Sequence, residues 1–206
     1  MNYYIDFDNT MYNPGKLLNR MYKAIANEII NQNEELNKEG IIEECKNKFG
    51  KENITDIYEL AKYFANQHNS NLNSIIKAIN AEILNSNDLV FNDVIPFLNR
   101  LKEKGHKLFI FSYGGKNTQY QSLKIVGSGI ANYFDGIYLS ANLKYELDIN
   151  YGDGIFIDDN PRDLLGIYSK DPKEVIRIRR PENKYSVKDI ENTNIKEYKS
   201  FDDILI

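Results

Sequence analysis

A chain of 206 residues can build one substantial core with a smaller inserted lobe, and its 42 % hydrophobic and 27 % charged residues are ordinary for a globular protein. Twenty-six basic against thirty acidic side chains leave a net charge of −4, which argues against a protein built to coat nucleic acid or anionic lipid, because both need a large positive field. The single cysteine, Cys45, excludes an intrachain disulfide, and no apolar run approaches the ~20 residues needed to span a bilayer. Strand-like sequence starts almost at residue 1, so no secretion signal is expected and a cytoplasmic chain is the simplest reading.

In chain order, "NYYI" reads as a short buried strand running into the polar loop "DFDNT". The character then changes. "KLLNRMYKAIANEIINQ" places Leu17, Leu18, Met21, Ala24, Ile25 and Ile29 on one helical face. "GIIEECKNKFG" predicts a second helix closed by Gly50, and with no histidine in a recognisable partner motif its Cys45 is expected to be structural. "NITDIYELAKYFANQ" follows with Thr55 as its predicted cap, and "NLNSIIKAINAEILN" makes a fourth helix. No strand pattern appears from about residue 15 to residue 87. The expected organisation is therefore a core of 1–14 and 88–206 with a helical lobe over 15–87.

Beyond the lobe, strand and helix alternate. "DVIPFLNRLKEKG" is a helix stopped by Gly105, "HKLFIFS" a buried strand, "KNTQYQSLKIVG" a helix, "FDGIYLS" a strand and "NLKYELDIN" a short helix. "GIFIDDN" is a strand, "PRDLLGIYSK" a helix with Pro161 in its first turn, and "KEVIRIRR" the last predicted strand. Such spacing implies right-handed crossovers and a doubly wound α/β fold, a parallel sheet covered by helices on both faces. The tail "KEYKSFDDILI" is expected to close the core as a helix or turn. Arg177 and Arg179 alternate with Ile176 and Ile178 as on a half-exposed edge strand, so they and Arg180 are read as edge charges, not a nucleic-acid surface. Tyr58 and Tyr63 are read as packing residues of the lobe, and His68 and His106 show no metal-ligand spacing.

In an open parallel sheet, ligands bind beyond the carboxyl ends of the strands, so the residues that follow each strand carry the chemistry. Asp6, Asp8 and Thr10 follow the first; Ser112, Tyr113, Gly114 and Gly115 follow "LFIF"; Asp158, Asp159, Asn160 and Asp163 follow "GIFI". Lys144 lies in the connection leading to that last strand. This set suits phosphoryl transfer through an aspartyl phosphate. Asp6 would attack phosphorus, Asp8 would act as general acid and then base, and Mg²⁺ would offset the repulsion between Asp6 and Asp159. Ser112 and the "SYGG" amides would hold the phosphoryl oxygens, and the Lys144 ammonium would neutralise nucleophile and transition state. A calcium loop is the competing reading of "DFDNT", but its sixth position, Met11, would have to be glycine.

"IDFDNT", "FIFS", a lysine and "FIDDNPRD", in this order, resemble the four motifs of the haloacid dehalogenase (HAD) superfamily. Asp6, Asp8 and Thr10 match its Asp-x-Asp-x-Thr motif, Ser112 the second, and Asp159 with Asp163 the fourth; Asp158 stands where glycine is frequent. For the third motif Lys144 is favoured and Lys124 is the alternative. The resemblance implies that Asp6, the Asp8 main-chain carbonyl and Asp159 bind the metal, with Asp163 behind them or acting through water. It also implies that the helical lobe is the cap that closes over the site and selects substrate. Dehalogenases of the superfamily lack an acid at the position of Asp8, whereas its phosphatases and phosphomutases have one. The resemblance therefore implies a Mg²⁺-dependent phosphatase of a small-molecule phosphate ester, a nucleotide, sugar phosphate or similar metabolite, working as a monomer or homodimer without membrane or nucleic acid. A phosphotransferase or mutase of the same superfamily, or a non-catalytic binding module keeping the fold, are the alternatives.

Overall fold

The computed structural model describes residues 1–50, 54–115, 118–181, 183–191 and 193–205. The chain divides into two compact units, Met1–Asn13 with Asn87–Ile206, and Pro14–Ser86.

The first unit is built on six parallel strands: β1 (Asn2–Ile5), β2 (Lys107–Tyr113), β3 (Gly136–Ser140), β4 (Gly154–Asp158), β5 (Glu174–Ile178) and β6 (Lys196–Tyr198). Their order across the sheet is β3-β2-β1-β4-β5-β6. The order reverses at β1, which pairs with β2 on one side and β4 on the other, with Ile5 opposite Ile110 and Ile157. A crevice therefore opens beyond the carboxyl ends of these three strands. The central strands are apolar on both faces, as sheets covered on both sides must be. Tyr4 stacks between Phe156 and Phe109, with ring centroids 4.7 and 5.1 Å away, and this aromatic layer joins Phe111, Tyr151, Leu164 and Ile167 in one buried cluster. Three helices serve this sheet: α5 (Val94–Glu103), α6 (Thr118–Gly127) and α7 (Pro161–Tyr168).

Several sequence expectations are corrected here. "NLKYELDIN" forms only one 3-10 turn, Lys144–Glu146, because Leu143 and Leu147 on either side are extended. The tail is neither helix nor simple turn: residues 196–198 form β6, and a 3-10 turn follows at Phe201–Asp203. Consequently β5 is not an edge strand. Arg177 is fully buried, opposite Glu197 in the register, and donates to that carboxylate at 2.6 Å and to the Tyr185 carbonyl at 2.7 Å. The actual edge, β6, is three residues long and two of them are charged, which discourages pairing with another chain.

The second unit holds α1 (Pro14–Gln32), α2 (Lys38–Lys48), α3 (Ile57–Gln67) and α4 (Leu72–Leu84). The face of α1 carrying Leu17, Met21, Ala24, Ile25 and Ile29 is buried against the other three helices, while Leu18 is only partly covered. Asp56, not Thr55, caps α3: its Oδ1 accepts from the Tyr58 and Glu59 amides at 2.7 and 3.3 Å, which only the residue directly before the first helical position can do. Gly50, just past α2, has φ +77°, a conformation natural to glycine. Cys45 is buried in α2, and burial pushes its thiol up to about 12, so it is unreactive at neutral pH. Among the described residues, no helix is long and apolar enough to cross a membrane.

Candidate active site

The first site residues come from the way β1 ends. The Asp6 amide still donates to the Ile157 carbonyl at 2.8 Å, so the sheet holds Asp6, and the chain then folds back tightly. The Met11 and Tyr12 amides both return to the Phe7 carbonyl at 3.0 Å, and Asn9 adopts φ +63°, which asparagine tolerates better than most residues. This loop presents Asp6 and Asp8 to one cleft of about 260 Å³. The cleft is also lined by Ser112, Tyr113, Lys144, Asp159 and Asp163. Thr10 and Gly114 are among the sequence candidates that do not line it. Thr10 is fully buried, with no hydrogen-bond partner for its hydroxyl among the described residues. Gly114 directs its N–H to the Ser140 carbonyl at 2.8 Å.

Lys144 is placed by the short turn after β3. The Tyr151 hydroxyl donates to the Lys144 and Leu147 carbonyls, both at 3.1 Å. Next to it, the Tyr145 ring lies directly on Gly166 of α7, in space that any Cβ would occupy. Glycine inside a helix costs roughly 1 kcal/mol relative to alanine; here it lets the lysine-bearing turn seat against the helix. The Lys144 Nζ reaches Asp6 Oδ1 at 2.7 Å, Asp158 Oδ2 at 2.5 Å and Asp163 Oδ2 at 3.9 Å. Burial alone would lower its pKa, but Asp158, Asp6 and Asp163 outweigh burial and hold it above the ordinary lysine value. The ammonium is therefore permanently charged.

One ammonium faces four buried carboxylates, Asp6, Asp158, Asp159 and Asp163. Asp6, Asp158 and Asp159 each place an oxygen within 4.8 Å of the others. Burial is the main cause that pushes Asp6 up to about 7, with Lys144 opposing it and Asp158 adding to it. Burial, then Asp6 and Asp158, push Asp159 up to about 9. Asp158 is raised as well, by burial, against the pull of Lys144. Raised pKa values mean that the cluster resists holding all its negative charge. A compact, buried, oxygen-only donor set with excess negative charge fits a hard divalent cation. Asp163 stands behind the cluster, its Oδ2 accepting from Asn160 Nδ2 at 2.7 Å. Asn160 in turn caps α7 by accepting from the Arg162 amide, with Pro161 at the first helical position.

Ser112, at the end of β2, has its hydroxyl 3.4 Å from Asp6 Oδ1. Gln121 of α6 donates at 3.1 Å both to that hydroxyl and to Asp8 Oδ2. The two candidate lysines have separate partners: Lys144 touches Asp6, whereas Lys124 of α6, also buried, grips both oxygens of Asp8 at 2.7 and 2.8 Å.

Sequence reasoning missed Gln121, Asn183 and the Arg180–Asp93 pair. Asn183, buried, donates through Nδ2 to Asp159 Oδ2. Arg180 binds both oxygens of buried Asp93 at 2.8 and 2.9 Å and also donates to the Thr10 carbonyl at 3.0 and 3.3 Å, bracing the loop that carries Asp6 and Asp8. The only sequence signal was Arg180 itself, two residues past the end of β5, and it reads as an edge charge whereas it is buried.

A family model described as haloacid dehalogenase-like hydrolase matches residues 4–166, most of the chain. No curated protein matches it. Similar solved structures include a HAD phosphatase from Thermococcus onnurineus, 17 % identical with a TM-score of 0.58, covering 98 % of this chain and 94 % of that one. A 2-haloacid dehalogenase from Pseudomonas syringae pv. Tomato is 12 % identical with a TM-score of 0.63, covering 97 % and 94 %. A HAD-hydrolase from Bacillus subtilis bound to magnesium is 10 % identical with a TM-score of 0.53, covering 98 % and 95 %. At these identities the likenesses establish a shared fold.

Proposed function

Since this chain belongs to the haloacid dehalogenase-like hydrolase family, we propose that it is a phosphatase that cleaves a small phosphomonoester through an aspartyl phosphate on Asp6. The observation that carries this reading is the second carboxylate: Asp8 lines the same cleft as Asp6 and is held there by Lys124 and Gln121. Displacement of halide from carbon releases an anion that needs no proton, so a dehalogenase has no use for an acid at this point. Release of an alkoxide does need one.

An oxygen of Asp6, steered by Lys144 at 2.7 Å, attacks phosphorus, and the bond from phosphorus to the ester oxygen breaks. Asp8 delivers a proton to the departing oxygen. It then takes a proton from the water that attacks the acyl phosphate, returning Asp6 as carboxylate and releasing phosphate. Ser112 and Lys144 hold the phosphoryl oxygens throughout. Asp6, Asp159 and the Asp8 carbonyl would hold Mg²⁺, the proposed cofactor, with Asp158 and Asp163 beside them. A bound Mg²⁺ supplies fixed positive charge against the carboxylates and the phosphoryl group. The substrate class is a small phosphorylated metabolite.

The test is release of inorganic phosphate from a panel of nucleotides, sugar phosphates and small phosphate esters, with Mg²⁺ and with EDTA. A parallel arm measures chloride release from 2-chloro acids. Phosphate release that EDTA stops, and that Asp6→Asn lowers about a thousandfold or more, supports the proposal. It fails if every ester is inert, if Asp6→Asn stays active, or if chloride is the only product released.

A further inference from the structure

Residues 180–181 and 183–186 lie beyond residue 166, where the match to the family model ends, yet Asn183 reaches the carboxylate cluster. Its contact there is the buried amide of Asn183 against Asp159. The orientation of that amide is fixed by its other end. The Asn183 Oδ1 accepts from the Tyr185 N–H at 3.0 Å, so the NH₂ group must be the end that faces Asp159.

The backbone carrying Asn183 is itself clamped. The Asn183 N–H donates to the Arg180 carbonyl at 3.1 Å, and the Ser186 N–H donates to the Asn183 carbonyl at 2.9 Å. Arg180 is locked by Asp93 and the Thr10 carbonyl, and the Tyr185 carbonyl accepts from the fully buried Arg177 at 2.7 Å. Two buried guanidinium groups thus anchor a strap whose side chain inside the cluster is Asn183.

We propose that Asn183 is a positioning residue for the metal site: its NH₂ group holds one oxygen of Asp159 and so aims the other at the cation. The inference rests on Asp159 being a metal-holding residue. The choice of side chain fits the task. A lysine or arginine here would neutralise Asp159 and compete with the cation, as Lys144 already does at Asp6 and Asp158. A neutral amide donor orients the carboxylate and leaves its charge for the metal. Groups that orient metal ligands in this way typically change affinity by about 10–100-fold when removed.

The experiment uses the full chain and titrates Mg²⁺ by calorimetry, with no substrate present, alongside thermal melts in EDTA. Asn183→Ala should weaken Mg²⁺ binding by about 10–100-fold while its melting temperature in EDTA stays close to that of the unsubstituted protein. Asn183→Leu, which keeps the volume and removes the donor, should weaken binding equally and provides the reading if the alanine variant does not fold. In activity assays the half-saturating Mg²⁺ concentration should rise by the same factor, with kcat largely recovered at saturating Mg²⁺; a purely structural role would not produce that split. Mg²⁺ affinity within twofold of the unsubstituted protein in a folded variant overturns the proposal while leaving the metal site intact. Failure of the unsubstituted protein to bind any divalent cation overturns the metal reading, and the positioning role with it.

Discussion

Replacing Asp159 by asparagine should make the cation-free protein more stable and abolish its response to Mg²⁺. The side chain is only 3 % exposed, and burial, then Asp6 and Asp158, raise its carboxyl from an ordinary 3.8 to about 9. The unfolded chain releases this proton near pH 4, whereas the folded chain keeps it to about pH 9. The folded state therefore binds more protons across that interval, and its stability falls as pH rises through it. At pH 7 the penalty accumulates over 7 − 3.8 = 3.2 pH units at about 1.36 kcal/mol each, or about 4 kcal/mol. Asparagine has the same shape, does not ionise and can present its oxygen to the Asn183 amide. The substitution should therefore recover about 2–4 kcal/mol, equivalent to roughly 4–16 °C in melting temperature for a chain of this size. The assay is thermal melting in EDTA at pH 7 and pH 4, repeated with Mg²⁺. The gain should nearly vanish at pH 4, and Mg²⁺ should raise the melting temperature of the original protein only, since a ligand stabilises the state that binds it. An Asp159→Asn protein that is no more stable at pH 7 in EDTA, or whose gain persists undiminished at pH 4, would refute the electrostatic account.

Two further outcomes follow from particular contacts. Gly166→Ala puts a methyl group into the Tyr145 ring; overpacking of this kind costs about 1–3 kcal/mol, more than the gain in helix propensity, and should lower kcat by displacing neighbouring Lys144, as denaturant melts and steady-state kinetics would show. Asp8→Asn should lower kcat about 10²–10⁴-fold on alkyl phosphates but far less on nitrophenyl phosphate, whose leaving group needs little protonation; an equal loss on both would remove Asp8 from the proton-transfer role.

What the sequence could reveal depended on the kind of signal each residue carries. Asp6, Ser112 and the pair Asp158–Asp159 were visible because each group directly follows a run of apolar residues, and a switch from apolar to polar at a strand end is local information. Lys144 was harder, since its turn is a single 3-10 turn without periodicity, and only its position before β4 recommended it over Lys124. Asn183 gave no signal. It lies in a loop, and its contact with Asp159 bridges 24 residues through no repeating pattern. Gln121 read as an ordinary polar position of a helix and Lys124 only as the second choice for the third motif, whereas their ends meet Asp8 more than 110 residues earlier in the chain. β6 escaped because three residues, two of them charged, form too short a run to alternate. That omission produced the error over Arg177, whose alternation with isoleucines suggested an exposed edge until Glu197 on the missing strand paired with it.

The central position of β1 has a consequence for the order of events as this chain is made. Its four residues pair with partners 110 − 5 = 105 and 157 − 5 = 152 positions further on, at Ile110 and Ile157. Pairings of such range form slowly, because a long loop must close before any contact rewards it. The helical unit, by contrast, is continuous from Pro14 to Ser86 and depends on near neighbours. Synthesis proceeds from the N-terminus, so that unit can assemble while Asp6 and Asp8 still wait, solvated, for β4 to arrive. The mutual repulsion of Asp6, Asp158 and Asp159 is thus deferred to one of the last steps of folding, when most of a sheet already exists to oppose it.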